Sequence, residues 1–205
     1  MQRPPRALLR LFLSSLALLA ALCAAPAFAE GTAVVIGGNL KTSHEAVWRR
    51  MVELAGGPGT RFVVLGTASN NAVAAAEQAA SQLRQYGAAA TVLPVGPQWP
   101  GRPIADAVRD PALVAEVRAA RGVFFTGGSQ GRIVTLLGGT RLAQTIRRAH
   151  RGGVVVAGTS AGASVICDHM IAQGKKGYAP RRQSVTMAPG LGLTKRLVVD
   201  QHFAQ

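Results

Sequence analysis

The segment Gly158-Thr159-Ser160-Ala161-Gly162 places a serine between two glycines in a G-x-S-x-G pattern. It directly follows the apolar run Val154-Val155-Val156-Ala157 and directly precedes a stretch with helical character. That context defines a nucleophile elbow, a sharp strand-to-helix turn that projects the serine hydroxyl at a helix N-terminus. Glycines flank the turn because a side chain at Gly158 or Gly162 would strike the neighbouring strand or helix. The N–H of Ala161 would then point at a developing oxyanion, aided by the helix dipole. The competing reading is a Gly/Ser turn that only binds an anion.

A second turn, Thr126-Gly127-Gly128-Ser129-Gln130, follows Gly122-Val123-Phe124-Phe125. Paired glycines let backbone approach a substrate, so the N–H of Gly128 or Ser129 is a candidate second oxyanion donor. Gln130 is neutral and both donates and accepts, which suits a peptide or amide group. Neither G-x-G-x-x-G nor a Walker motif occurs, which argues against a nucleotide.

A serine nucleophile needs a base. His169 lies nine residues past Ser160; on a continuous helix that is about 13 Å, out of reach. His202, in Asp200-Gln201-His202, follows the apolar segment Leu197-Val198-Val199, at the expected end of a last strand. The residues alone leave it equally a base or a lone surface histidine.

The elements that must position these groups alternate along the chain. Strands are expected at 33–37, 61–66, 90–95, 122–126, 154–157 and 197–199. Helices are expected from Ser43, read as an N-cap, to Ala55, and over 72–86, 111–120, 129–150 and 160–172. Gln173 to Pro189 is polar, basic and turn-rich, and reads as a surface loop. Continuous apolar strands between helices mean a parallel sheet covered on both faces. Ligands bind beyond the carboxyl ends of such strands, where these polar turns gather.

The 205 residues suit one domain, and 48% hydrophobic with 16% charged residues excludes disorder. The net charge of +14 attracts polyanions non-specifically, but the basic residues are scattered without an aromatic stripe, so no specific nucleic-acid partner is expected. Arg3, Arg6 and Arg10 precede an apolar run from Leu11 to Ala25 and then Ala27-Phe28-Ala29, the pattern of a secretory signal peptide over 1–29 cleaved after Ala29. A run that ends at Pro26 is short against a membrane span of about 20 residues, so no membrane association is expected after cleavage. The mature chain, 30–205, then contains one cysteine, Cys167, which can form no internal disulfide and reads as a small apolar residue inside a helix. No metal-ligand spacing is present.

Taken together, Gly158-Thr159-Ser160-Ala161-Gly162-Ala163, Phe125-Thr126-Gly127-Gly128-Ser129-Gln130 and Asp200-Gln201-His202-Phe203 resemble the cyanophycinases. These serine exopeptidases are related to aspartyl dipeptidases and to the class I glutamine amidotransferase-like fold. Val35-Ile36-Gly37-Gly38 and Val64-Leu65-Gly66-Thr67-Ala68-Ser69 extend the likeness along the mature chain.

The resemblance implies a three-layer, doubly wound, mostly parallel α/β fold of flavodoxin-like type. It implies Ser160 as nucleophile and His202 as base, with Gln130, Asp200 and Gln201 shaping the pocket and no cofactor. The implied substrate is cyanophycin, a polyaspartate carrying arginine on each side chain, cut from the end into β-Asp-Arg dipeptides. The alternative is an Asp-containing dipeptide, or an inactive chain that only binds. Related enzymes are often dimers, so a homodimer is an expected assembly.

Two departures stand out. The family triad also uses a carboxylate, usually Glu, and none follows Glu116; Asp168 and Asp200 are the acids at hand. Asp200 reads either as an orienting acid or as a pocket residue. Relatives continue past the position of Gln205, so the resemblance also implies a C-terminally truncated sequence. The basic residues Lys175, Lys176, Arg181 and Arg182 read as a solvated face or as contacts to the polymer's carboxylates.

Overall fold

The computed structural model describes residues 31–174 and 184–202. The expected signal peptide, the basic residues 175, 176, 181 and 182, and Phe203 lie outside these residues. Five parallel strands form the central sheet: β1 (Ala33–Ile36), β2 (Arg61–Leu65), β3 (Ala89–Leu93), β4 (Gly122–Phe125) and β5 (Val155–Thr159). Their spatial order is β1-β5-β4-β2-β3.

Strand side chains alternate between the two faces, and both faces of the central strands are apolar, as burial between helical layers requires. Val63, Leu65, Val123, Phe125 and Val156 enter one core; Phe62, Val64, Phe124, Val155 and Ala157 enter the other. The second core is closed by α1 (Glu45–Leu54) and α2 (Ala72–Gln85), with the Trp48 ring 5.6 Å from that of Phe124. The first core is closed by the short α3 (Ile104–Ala107) and by α4 (Pro111–Ala119), α5 (Gln130–Leu137) and α6 (Arg141–Arg151). The three-layer expectation therefore holds.

Tertiary pairing overrides several local expectations. Helix α1 is capped at His44 rather than Ser43, and His44 Nδ1 accepts from the Lys41 N–H at 3.2 Å. The single helix expected over 129–150 is two, because Gly138-Gly139 interrupts it and Thr140 caps the second piece through the Ala143 N–H. The helix after Ser160 is one turn, α7 (Ala161–Ser164), not a run to Ala172. Beyond it the carbonyls of Val165, Ile166 and Cys167 accept from Leu191, Leu193 and Gly192, so the backbone is committed to another segment. Cys167 is thus buried against Thr194 in an isolated bridge, not within a helix.

An antiparallel hairpin, β6 (His169–Gly174) with β7 (Val185–Pro189), replaces the end of the helix expected to Ala172 and the loop expected over 173–189. No strand forms at Leu197-Val198-Val199; Leu197 and Val198 are exposed and only Val199 is buried.

Candidate active site

Sheet topology places the elbow. Strand β1 leads to α1 on one face, whereas β5 leads into α7, whose Ala161 packs in the opposite core. The connections of these two neighbours diverge, leaving a crevice at their carboxyl ends. Ile36 and Thr159 pair at the end of the β1–β5 register, and the Ser160 N–H donates to the Ile36 carbonyl at 2.9 Å, carrying the ladder one residue into the turn.

Ser160 adopts φ 53° and ψ −118°, a conformation that costs a non-glycine residue about 1–3 kcal/mol. The surroundings enforce it. A Cβ on Gly158 would lie 2.8 Å from Ala163 N, and one on Gly162 would lie 2.8 Å from the Phe125 carbonyl carbon. Both glycines are required by close approach, as the sequence pattern anticipates.

The half-buried Ser160 hydroxyl lies 2.7 Å from His202 Nε2. Forty-two residues separate the pair in sequence. The imidazole is held from behind: the His202 N–H donates to the Gly37 carbonyl at 3.0 Å, and the ring lies against Gly38, whose φ is +144°. A Cβ on Gly38 would lie 2.8 Å from Nε2 and 2.9 Å from Nδ1. Among the described residues no carboxylate pairs with His202. Asp200 is exposed, and Asp168 engages the 190–194 segment, its N–H donating to the Thr194 carbonyl at 3.0 Å. His169 opens β6 and is exposed, so the helical spacing used to set it aside does not exist, although no bond joins it to Ser160.

The candidate oxyanion donors flank the serine. Ala161 opens α7, and its N–H has no acceptor among the described residues. A Cβ on Gly127 would make ordinary contact with Ser160 Cβ at 3.4 Å, so the Gly127-Gly128 turn borders the hydroxyl. That turn is braced by the Ser129 N–H to the Ala68 carbonyl at 2.9 Å. Arg132 reinforces it, reaching the Ala68 carbonyl at 2.7 Å and Asn70 Oδ1 at 2.6 Å. Arg132 carries little signal in the sequence beyond its place in the first turn of α5, three residues after the Ser129 cap.

The amide nitrogen of Gln130 donates to the Ile171 and Ala172 carbonyls at 3.1 and 3.0 Å, tying the β6–β7 hairpin to the start of α5. Only its oxygen remains to meet a substrate. Gln201 contributes a buried Oε1 without a hydrogen-bond partner among the described residues, an acceptor left unsatisfied. Among the described residues no cluster of His, Cys, Asp or Glu could hold a metal ion.

Comparison with known proteins gives this geometry a context. The sequence is 34% identical over 179 residues to the cyanophycinase of Geminocystis herdmanii, covering 86% of this chain and 63% of that protein. It is 50% identical over 90 residues to the cyanophycinase of Trichormus variabilis, 43% of this chain and 30% of that one. The chain thus spans under two thirds of the length of these relatives.

In fold it resembles a crystal structure of a peptidase from an acI-B1 Actinobacterium, with TM-score 0.59 and 22% identity over 80% of this chain and 64% of that one. It also resembles a protein assigned to peptidase E from Listeria monocytogenes EGD-e, with TM-score 0.54 and 15% identity over 81% and 76% of the two chains. The sequence pattern of one family matches residues 33–205, most of the described structure with its elbow and histidine: the chain belongs to peptidase family S51.

Proposed function

We propose that this chain is an exported serine-type exopeptidase that hydrolyses cyanophycin to β-Asp-Arg dipeptides. The observation that carries the reading is the 2.7 Å approach of Ser160 Oγ to His202 Nε2 on a strained elbow. Family S51 membership and the cyanophycinase relatives support the reaction class and the substrate. The Arg-rich start, apolar run and Ala27-Phe28-Ala29 support export, with 30–205 as the mature domain.

In this mechanism Ser160 Oγ attacks the scissile carbonyl carbon as its proton passes to His202 Nε2. The oxyanion is met by the N–H groups of Ala161 and Gly128. His202 then returns the proton to the departing amine, leaving an acyl group on Ser160. Water attacks that ester as its proton passes to His202; the adduct then collapses, His202 returns the proton to Ser160 Oγ, and the product leaves with its new carboxyl group. The imidazole is oriented by its own backbone N–H and by Gly38 rather than by a described carboxylate. Gln201 Oε1 is an acceptor for the substrate's cationic or amide donors, and Gln130 and Asp200 are the other pocket residues of this reading.

A fluorophosphonate probe tests the chemistry: the adduct is expected on Ser160 and on no other residue. Folded protein that stays unlabelled would leave a binding role instead. Offering insoluble cyanophycin and free aspartyl dipeptides side by side decides the substrate, and hydrolysis of the dipeptides alone would make the chain a dipeptidase.

A further inference from the structure

A cleft of about 130 Å³ opens on the Trp48 side of the sheet and reaches Gly127 and Thr159, the residues bordering Ser160. Its floor is aromatic, formed by Trp48 and Phe124, and its outer wall carries the carboxamides of Gln78 and Gln82. Two hydroxyls among its lining residues, Thr126 Oγ1 and Thr159 Oγ1, are buried without a hydrogen-bond partner among the described residues, and Thr126 is only 4% exposed. A buried hydroxyl left unsatisfied is destabilising, so its retention calls for a reason. Among the described residues no Lys, Arg, Asp or Glu lines the cleft. A guanidinium or carboxylate entering it would lose its hydration with no opposite charge to meet.

We propose that this cleft is a substrate subsite for an uncharged planar amide, a peptide unit or carboxamide lying beside the scissile bond. The inference rests on the peptidase reading of Ser160. The faces of the amide rest on the aromatic floor. Its carbonyl and N–H meet the threonine hydroxyls, which both donate and accept, and its outer edge meets the glutamines. Charged groups of the substrate are thereby kept out of the cleft.

Acetamide, guanidinium chloride and acetate serve as probes, followed through the indole N–H resonance of Trp48. Trp99→Phe assigns that signal, because the chain has 2 tryptophans. Acetamide is expected to shift it, with guanidinium and acetate leaving it in place. Thr126→Val should weaken acetamide about tenfold, the loss of one hydrogen bond, and Thr126→Ser should restore it. Because Thr126→Val removes an unsatisfied hydroxyl, its melting temperature should not fall below the parent's. An unmoved Trp48 resonance, an equal response in Thr126→Val, or an equal response to guanidinium would overturn the proposal. Fluorophosphonate labelling of the same preparation separates the two ideas. A labelled protein with a silent cleft refutes only the subsite, and an unlabelled protein that binds acetamide refutes only the peptidase.

Discussion

Replacing Gly38 by alanine should disarm Ser160 without unfolding the protein. The new Cβ would overlap His202 Cε1 and stand 2.8 Å from Nε2, whereas ordinary contact begins at 3.4 Å, so the ring must retreat by more than about 0.6 Å and by about 1 Å at Cε1. A retreat of that size away from Ser160 stretches the 2.7 Å Ser160–His202 contact beyond about 3.3 Å, past the reach of a general base. Misplacement on this scale costs about 100-fold in rate, or about 2.7 kcal/mol of barrier. The exposed His202 side chain can swing outward, so the fold bears only the backbone cost of alanine at φ +144°, about 1–3 kcal/mol.

The assay is the second-order rate of fluorophosphonate labelling, with circular dichroism to verify folding. Gly37→Ala is the control, since a Cβ there meets nothing within 4 Å and should leave the rate within about twofold, as expected of a neutral surface change. Parental labelling in folded Gly38→Ala would refute the assignment of His202 as the base.

Three further outcomes follow from the same geometry. Gly162→Ala drives a Cβ to 2.8 Å from the Phe125 carbonyl carbon, which is backbone, and should destabilise by about 1–3 kcal/mol; an unchanged melting temperature would show that the elbow relaxes freely. Gln130→Ala removes both bonds to the Ile171 and Ala172 carbonyls, and should accelerate amide exchange in the β6–β7 hairpin while the central sheet stays protected; unchanged hairpin exchange contradicts that role. Burial raises the Cys167 thiol above its ordinary value, so in alkali the unfolded chain releases that proton first. The resulting stability is fully present below the ordinary thiol range and is lost as pH rises through the raised folded value. Denaturant midpoints should therefore fall with rising alkaline pH more steeply in the parent than in Cys167→Ala, and parallel curves would refute the effect.

The elbow was legible because its signal is local. Two glycines around Ser160 and an apolar strand before it are all visible within nine residues, and the crowding at Gly158 and Gly162 explains them. The parallel sheet was legible for a similar reason, since strands such as Val123-Phe124-Phe125 are apolar toward both faces. What failed was decided by distant partners. Nothing near Val165-Ile166-Cys167 tells that their carbonyls serve residues 191–193, so a helix was extended through them. The hairpin is hidden because its strands are mostly exposed and lack a clean two-residue alternation, so 169–172 read as the end of a helix and 173–189 as a loop; Leu197-Val198-Val199 reads as a strand although no described segment pairs with it. Thr140, a cap following two glycines, was a signal within reach for the break between α5 and α6. The cleft hydroxyls of Thr126 and Thr159 acquire meaning only once β4 and β5 lie side by side.

The most direct test of the central claim is release of soluble β-Asp-Arg from insoluble cyanophycin by the mature chain, run in parallel with Ser160→Ala and His202→Ala. The account predicts dipeptide from the parent, none from Ser160→Ala, and a rate lower by about 100-fold or more from His202→Ala. Dipeptide released equally by parent and Ser160→Ala, or no release by a folded parent, would contradict it.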